Sequence, residues 1–294
     1  MDDELISISS GELTARIHPL GAELMSLTDS AGAEYMTDAD PAYWSGHAPV
    51  LFPIIGSLVD DTYRLGEDSY HLPRHGFARR CRFDVLAVED DFAVFGLGDS
   101  EATRSIYPFA FRLALAFRVT GTRLHMAATV TNAGDRDMPF SFGYHPAFAW
   151  PLPGGAAKSA HRIVFAADEP APIRRVSTAN GQLLPEKQAS PVVGRDLALS
   201  PDLFVEDAVI WDEMVSRSLS YGADGGAWLD ITYPDTPCLG LWQVPGAHYL
   251  CIEPWAGHAD PLGFDGDFTR KPGIHMLEPG QSHSFRMDVC LRAR

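Results

Sequence analysis

Three short segments of this sequence set an ionisable side chain beside Gly or Pro and an aromatic residue. Residues 72–80 carry Arg74, His75, Gly76, Phe77, Arg79 and Arg80; residues 142–148 carry Tyr144, His145, Pro146 and Phe148; residues 251–257 carry Glu253, Pro254 and Trp255. An imidazole and a carboxylate held on opposite sides of a small polar molecule make a general acid and a general base, and each role contributes about 10²–10⁴ in rate. Glu253 follows the apolar run Tyr249-Leu250-Cys251-Ile252. Buried there, it is a carboxyl whose pKa desolvation raises and Arg or hydrogen bonds lower; at a sheet edge beside a Pro turn, it is only solvated. His145 precedes Pro146, which holds it in an extended backbone and out of a helix. Arg74, Arg79 and Arg80 disfavour the charged form of His75, so a neutral imidazole is expected. Trp255 can stack on the apolar face of a sugar ring or belong to the core.

Other chemistries lose weight. The sequence has no G-x-S-x-G nucleophile elbow, no G-x-x-x-x-G-K-[ST] phosphate loop and no G-x-G-x-x-G after a strand. His71 and His75 are four apart, but Pro73 between them breaks the helix on which they would share a face as zinc ligands. No metal site is expected.

The elements that must position these residues are strands. Phe109, Phe111, Leu113, Leu115, Phe117 and Val119 recur at every second position, and after a turn read at Thr120-Gly121 the pattern resumes with Leu124, Met126, Ala128 and Val130. The same period appears in Ile6-Ile8, Leu13-Ala15-Ile17 and Phe285-Met287-Val289-Leu291, with further strands at Ile231-Tyr233 and Leu239-Leu241. Phe83-Val85-Ala87 is expected to face Phe92-Val94 across Asp90-Asp91. No helical stripe persists beyond two turns, so the fold is all-β, a sandwich of large sheets or a barrel. Residues 151–200, broken by Pro151, Pro153, Pro170, Pro172, Pro185 and Pro191, read as excursions and short strands.

The 294 residues, 46% hydrophobic and 21% charged, suit a globular chain of one large domain or two small ones, with no firm boundary along it. A net charge of −16 opposes binding to nucleic acid and anionic membranes. No apolar run approaches the ~20 residues that span a bilayer. The start Met1-Asp2-Asp3-Glu4 lacks the basic region of a secretory signal, so a cytoplasmic protein is expected. Cys81, Cys238, Cys251 and Cys290 are dispersed and read as free, mostly buried thiols, with a single disulfide as the alternative.

The sequence resembles the aldose 1-epimerase (galactose mutarotase) family, in its bacterial LacX-like branch. The resemblance runs nearly the full length. It is carried by His18-Pro19-Leu20-Gly21-Ala22-Glu23, Asp40-Pro41-Ala42-Tyr43-Trp44, Ala48-Pro49-Val50-Leu51-Phe52-Pro53, Arg74-His75-Gly76-Phe77-Ala78-Arg79, Gly143-Tyr144-His145-Pro146-Ala147-Phe148, Glu253-Pro254-Trp255 and Leu277-Glu278-Pro279-Gly280. Each motif is weak singly; their order and combination are specific.

The resemblance implies a single galactose mutarotase-like β-supersandwich domain over 1–294 and exchange of the α and β anomers of a free hexose by ring opening, with neither cofactor nor metal. By position, Glu253 matches the family's base, His145 the acid at the ring oxygen, and His75 the second active-site histidine. Asp207 matches the acid that holds sugar hydroxyls, and Arg79 is expected within reach of the substrate. Better-known relatives carry an Arg just before the segment 48–53; here Ser45-Gly46-His47 stands, and His47 is the candidate replacement. Two other functions stay open. One is a hexose-6-phosphate 1-epimerase using Arg74, Arg79 and Arg80 for a dianion; the other is a carbohydrate-binding sensor without turnover.

Overall fold

The longest alternating runs become the longest strands. Phe111–Thr120 and Arg123–Asn132 pair antiparallel, with Leu113 opposite Val130, Leu115 opposite Ala128 and Phe117 opposite Met126. All six side chains are buried, so one face of this hairpin is dry. The turn lies one residue later than expected, because Thr120 still pairs with Arg123; Gly121, at φ +55°, supplies the left-handed conformation of the tight turn. Ser282–Leu291 adds to the other side of Arg123–Asn132 and extends the same buried face with Phe285, Met287 and Val289.

The computed structural model describes residues 5–292; the acidic residues 1–4, on which the reading of the N-terminus rests, lie outside them. Among the described residues the strands form a nine-stranded sheet, a six-stranded sheet, a three-stranded sheet near the N-terminus and two small ribbons. Every pairing of named strands is antiparallel. The one α-helix among the described residues, Glu101–Ile106, is capped by Ser100 and Thr103. Asp84–Val88 is an edge strand exposed along its whole length. A bulge shifts it, so that Val85 meets Phe95 and Ala87 meets Val94. All four cysteines are free, with Cys238 and Cys251 buried. No helix among the described residues is long and apolar enough to cross a membrane.

The six-stranded sheet carries the chemistry. Its central strand, Tyr249–Ala256, is buried at every position. Side chains alternate across a sheet, so Leu250, Ile252 and Ala256 join the main core while Tyr249, Cys251 and Trp255 face the opposite side. Glu253 shares that second face by its position between Cys251 and Trp255. Cys238–Trp242 pairs along one edge of this strand, with Gly240 opposite Glu253. Along the other edge two short strands share the work: Gly143 of Phe142–Tyr144 pairs with Trp255, and Ala147 of Ala147–Ala149 pairs with Cys251. One register runs through both, and two residues inward from each pairing His145 stands opposite Glu253. Pro254 is therefore no turn. It sits inside a central strand opposite Tyr144, the last residue of the short strand Phe142–Tyr144, so its missing N–H falls where that strand ends.

Candidate active site

His145 Nε2 lies 3.1 Å from Glu253 Oε2, and both side chains are buried. They form one floor of a cavity of about 240 Å³. The acid and base are thus side by side, not on opposite sides of the space as the sequence suggested; cross-strand neighbours in one register cannot be otherwise. His145 Nδ1 is buried with no hydrogen-bond partner.

His75 reaches the same cavity from the segment 72–80. Its backbone N–H donates to the Gly56 carbonyl at 2.9 Å, and the Gly56 N–H donates to its Nδ1 at 3.1 Å. His75 and Gly76 are both left-handed, at φ +66° and +71°. A Cβ on Gly76 would fall 2.2 Å from the Phe52 carbonyl oxygen, so only glycine fits this crossing. Because Nδ1 accepts, the neutral ring carries its proton on Nε2 and can donate it. The His75 and His145 rings meet edge to face at 5.8 Å.

Burial sets the protonation of all three groups. It pushes His75 well below its ordinary 6.5, with His145 and then Arg74, Arg79 and Arg80 acting in the same direction. The arginines thus contribute less than the desolvation. His145 is pushed down to about 3 by burial, then by Arg79 and Arg74. Burial raises Glu253 well above 4.5 and Asp207 adds to this; Arg74, the Trp255 indole and Arg79 oppose it.

Arg74, Arg79, Asp207 and Trp255 also line the cavity. Arg74 is exposed and Arg79 half-buried, and neither forms an ion pair among the described residues. Arg80 instead donates from Nη1 to the Gly76 carbonyl at 2.7 Å. Asp207 is left-handed at φ +67°, and its Oδ1 accepts from the Ala208 N–H at 2.7 Å. Trp255 both lines the cavity and packs in a small core cluster, so the two readings of it coincide. His47 is not among the lining residues. Its backbone N–H donates to Glu23 Oε1 at 2.7 Å, and its carbonyl accepts from the Ala147 N–H.

Two tryptophans that sequence reasoning did not single out complete the wall. Trp44 lies 5.1 Å from His145 and crosses Trp242 edge to face at 5.6 Å. Trp44 occurs in a stretch quoted for the family resemblance, but nothing local separates a wall tryptophan from a core one. Trp242 ends a strand whose alternation reads as core.

His145, Cys251 and Glu253 bring one donor atom each within 4.8 Å of one another. The set fits a cation poorly. Burial and Glu253 hold the Cys251 thiol well above 9, and Arg74 and Arg79 add positive charge around His145.

Comparison with known proteins gives this geometry a lineage. The protein LacX (plasmid) of Lactococcus lactis is 30% identical in an alignment that covers 97% of this chain and 99% of that one. A galactose mutarotase related enzyme from Lactobacillus acidophilus superposes with a TM-score of 0.90 at 31% identity, over 99% of this chain and 98% of that one. A galactose mutarotase-like protein from Lactobacillus casei gives 0.88 at 29% identity, over 98% and 100%. The family described as aldose 1-epimerase matches residues 4–290, and the chain belongs to it.

Proposed function

We propose that this protein is an aldose 1-epimerase that interconverts the α and β anomers of a free hexose. The observation that carries this is the 3.1 Å approach of His145 Nε2 to Glu253 Oε2 on the floor of a cavity. Anomers differ only at C1, so their exchange requires the ring to open. The C1 hydroxyl oxygen and the ring oxygen are both bonded to C1, and adjacent acid and base groups can serve them together.

The pair works with one shared proton. As carboxylate, Glu253 takes the proton of the C1 hydroxyl, and that O–H bonding pair becomes the second bond of the carbonyl. The bond from C1 to the ring oxygen breaks, its electrons stay on the oxygen, and His145 as imidazolium protonates it. Glu253 ends as a neutral acid and His145 as a neutral imidazole, the forms that burial favours for both. Rotation about C1–C2 presents the other face of the aldehyde, and the reverse transfers close the ring. The Nε2–H of His75 supports the ring oxygen as a donor, Asp207 and Arg79 hold hydroxyls, and Trp255, Trp44 and Trp242 pack on apolar faces of the sugar.

Polarimetry of freshly dissolved α-D-glucose and α-D-galactose at pH 7 tests the proposal. Acceleration over buffer is expected, and Glu253→Gln should remove it. Unaccelerated mutarotation, or binding of sugar by calorimetry without turnover, rejects it in favour of a sensor.

A second reading, epimerisation of a hexose 6-phosphate, is favoured by one observation: Arg74 stands exposed at the cavity and, among the described residues, forms no ion pair with a carboxylate. Glucose 6-phosphate should then compete with glucose far better in the wild type than in Arg74→Ala. Equal competition rejects this reading.

A further inference from the structure

Arg175 belongs to the irregular stretch between Phe165 and Asp196 and has no part in the cavity wall. Its neighbour Arg174 is laced to the sheet: the Arg174 N–H donates to the Ile210 carbonyl at 2.7 Å, and the Ile210 N–H donates back at 3.2 Å. The two side chains then go to different partners. The Arg174 guanidinium donates to Asp212 Oδ2 at 2.9 Å and to the Leu184 carbonyl. Arg175, buried to 8% exposure, donates from Nη1 to the carbonyls of Leu203 at 2.9 Å and Asp207 at 3.0 Å. Those carbonyls bracket the turn that delivers Asp207 to the cavity. Glu206 Oε2 lies 3.9 Å from Arg175 Nε.

We propose that Arg175 is a positioning residue that pins the turn 203–207 and so presents Asp207 to the sugar. Asp207 needs such a tie. It is a left-handed residue other than glycine, and such a conformation persists only where its surroundings hold it. Its Oδ1 is already engaged by the Ala208 N–H, so the backbone fixes which oxygen is left to face a hydroxyl. A guanidinium suits the task because its rigid fork gives two carbonyls directed donors from one nitrogen, which a lysine ammonium holds less firmly.

The inference rests on the reading of Asp207 as a sugar ligand. Mutarotation of α-D-glucose by Arg175→Met, which keeps the aliphatic stem, tests it. KM should rise about tenfold with kcat changed less than about threefold, the signature of lost binding that ground and transition states share. Arg175→Lys should recover part of the loss and serves as the second variant if the Met protein does not fold. Arg174→Met, which cuts a similar guanidinium from Asp212 and Leu184, should leave KM unchanged while lowering Tm. In an Asp207→Ala background, Arg175→Met should raise KM no further, because the two residues act in series. A raised KM in Asp207→Ala beside an unchanged KM in both Arg175 variants overturns the positioning role alone. An unchanged KM in Asp207→Ala overturns the reading of Asp207 and the positioning role together, while the dependence on Glu253 stands.

Discussion

His145 and Glu253 are cross-strand partners: the register that pairs Gly143 with Trp255 and Ala147 with Cys251 sets one opposite the other, with Nε2 and Oε2 3.1 Å apart. Two strand segments that would otherwise be continuous are interrupted at His145-Pro146, and the interruption lies where the acid and base meet. The arrangement depends on backbone pairing along a strand buried throughout, the most rigid kind of support available in this fold.

Glu253→Gln should lose activity by about 10²–10⁴-fold and still gain stability at neutral pH. The folded pKa of Glu253 is raised, so the native state holds a proton that the unfolded chain releases above about 4.5. Wild-type stability contributed by this group is therefore present below that value and lost as pH rises through the folded pKa. Glutamine has no proton to lose. The Tm of the variant should exceed that of the wild type by a margin that widens as the pH is raised from about 5 toward neutrality. Thermal melts across that range check this, and a constant or reversed margin contradicts it.

The rate should fall on the alkaline side and hold on the acid side. Turnover needs one proton shared by His145 and Glu253. A second proton must enter His145, held down at about 3, so acid leaves the working form intact to about pH 4. Alkali removes the shared proton. An exposed pair would instead lose its one-proton form to acid near the ordinary carboxylate value of about 4.5 and to alkali near the ordinary histidine value of about 6.5. Initial rates by polarimetry, with buffer catalysis subtracted at each pH, distinguish the two profiles.

The strand content was legible because a period of 2 needs only one buried face to show itself; Leu113, Leu115, Phe117 and their partners declared it. His145 and Glu253 were nameable from their motifs, yet their adjacency was not, since it depends on two short strands sharing one register with a third. Pro254 even misled, because a proline in a central strand is tolerated where its missing N–H falls at the end of a neighbouring strand. Trp44 and Trp242 look like core tryptophans until the cavity beside them is seen. Arg175 carried no local signal at all: its partners are backbone carbonyls, which every residue possesses.

Asp260→Asn should cost stability far from any role in the reaction. Lys271 Nζ, with no side-chain exposure, lies 2.9 Å from Asp260 Oδ1, and Asp260 Oδ2 accepts from the Val59 N–H at 3.0 Å. Taking away the carboxylate leaves a buried ammonium unpaired, a loss of about 3–5 kcal/mol. Burial already lowers the Lys271 pKa, and without Asp260 nothing raises it. Below 10.5 the unfolded chain then binds a proton the folded lysine resists, so stability should recover as pH climbs toward about 10. Urea titrations at pH 7 and pH 9.5 measure both effects. A cost that does not shrink with pH contradicts the assignment of a buried charge.

Gly240→Ala should disturb the sugar wall through Trp255. Gly240 pairs with Glu253, and a Cβ there would lie 2.5 Å from the Trp255 ring; a Cβ on Gly143, across the strand, would lie 2.6 Å from it. The indole is clasped between two bare backbones, so one added methyl must push it out of place. Overpacking of this kind costs about 1–3 kcal/mol. Displacement of a wall residue should raise KM for α-D-glucose more than it lowers kcat, with a change in the sugar-dependent tryptophan fluorescence. Gly98→Ala is the control, because a Cβ there meets nothing within 4 Å and its φ lies outside the left-handed range. Equal KM values for the two alanine variants would mean that Trp255 belongs to the core alone and takes no part in holding the sugar.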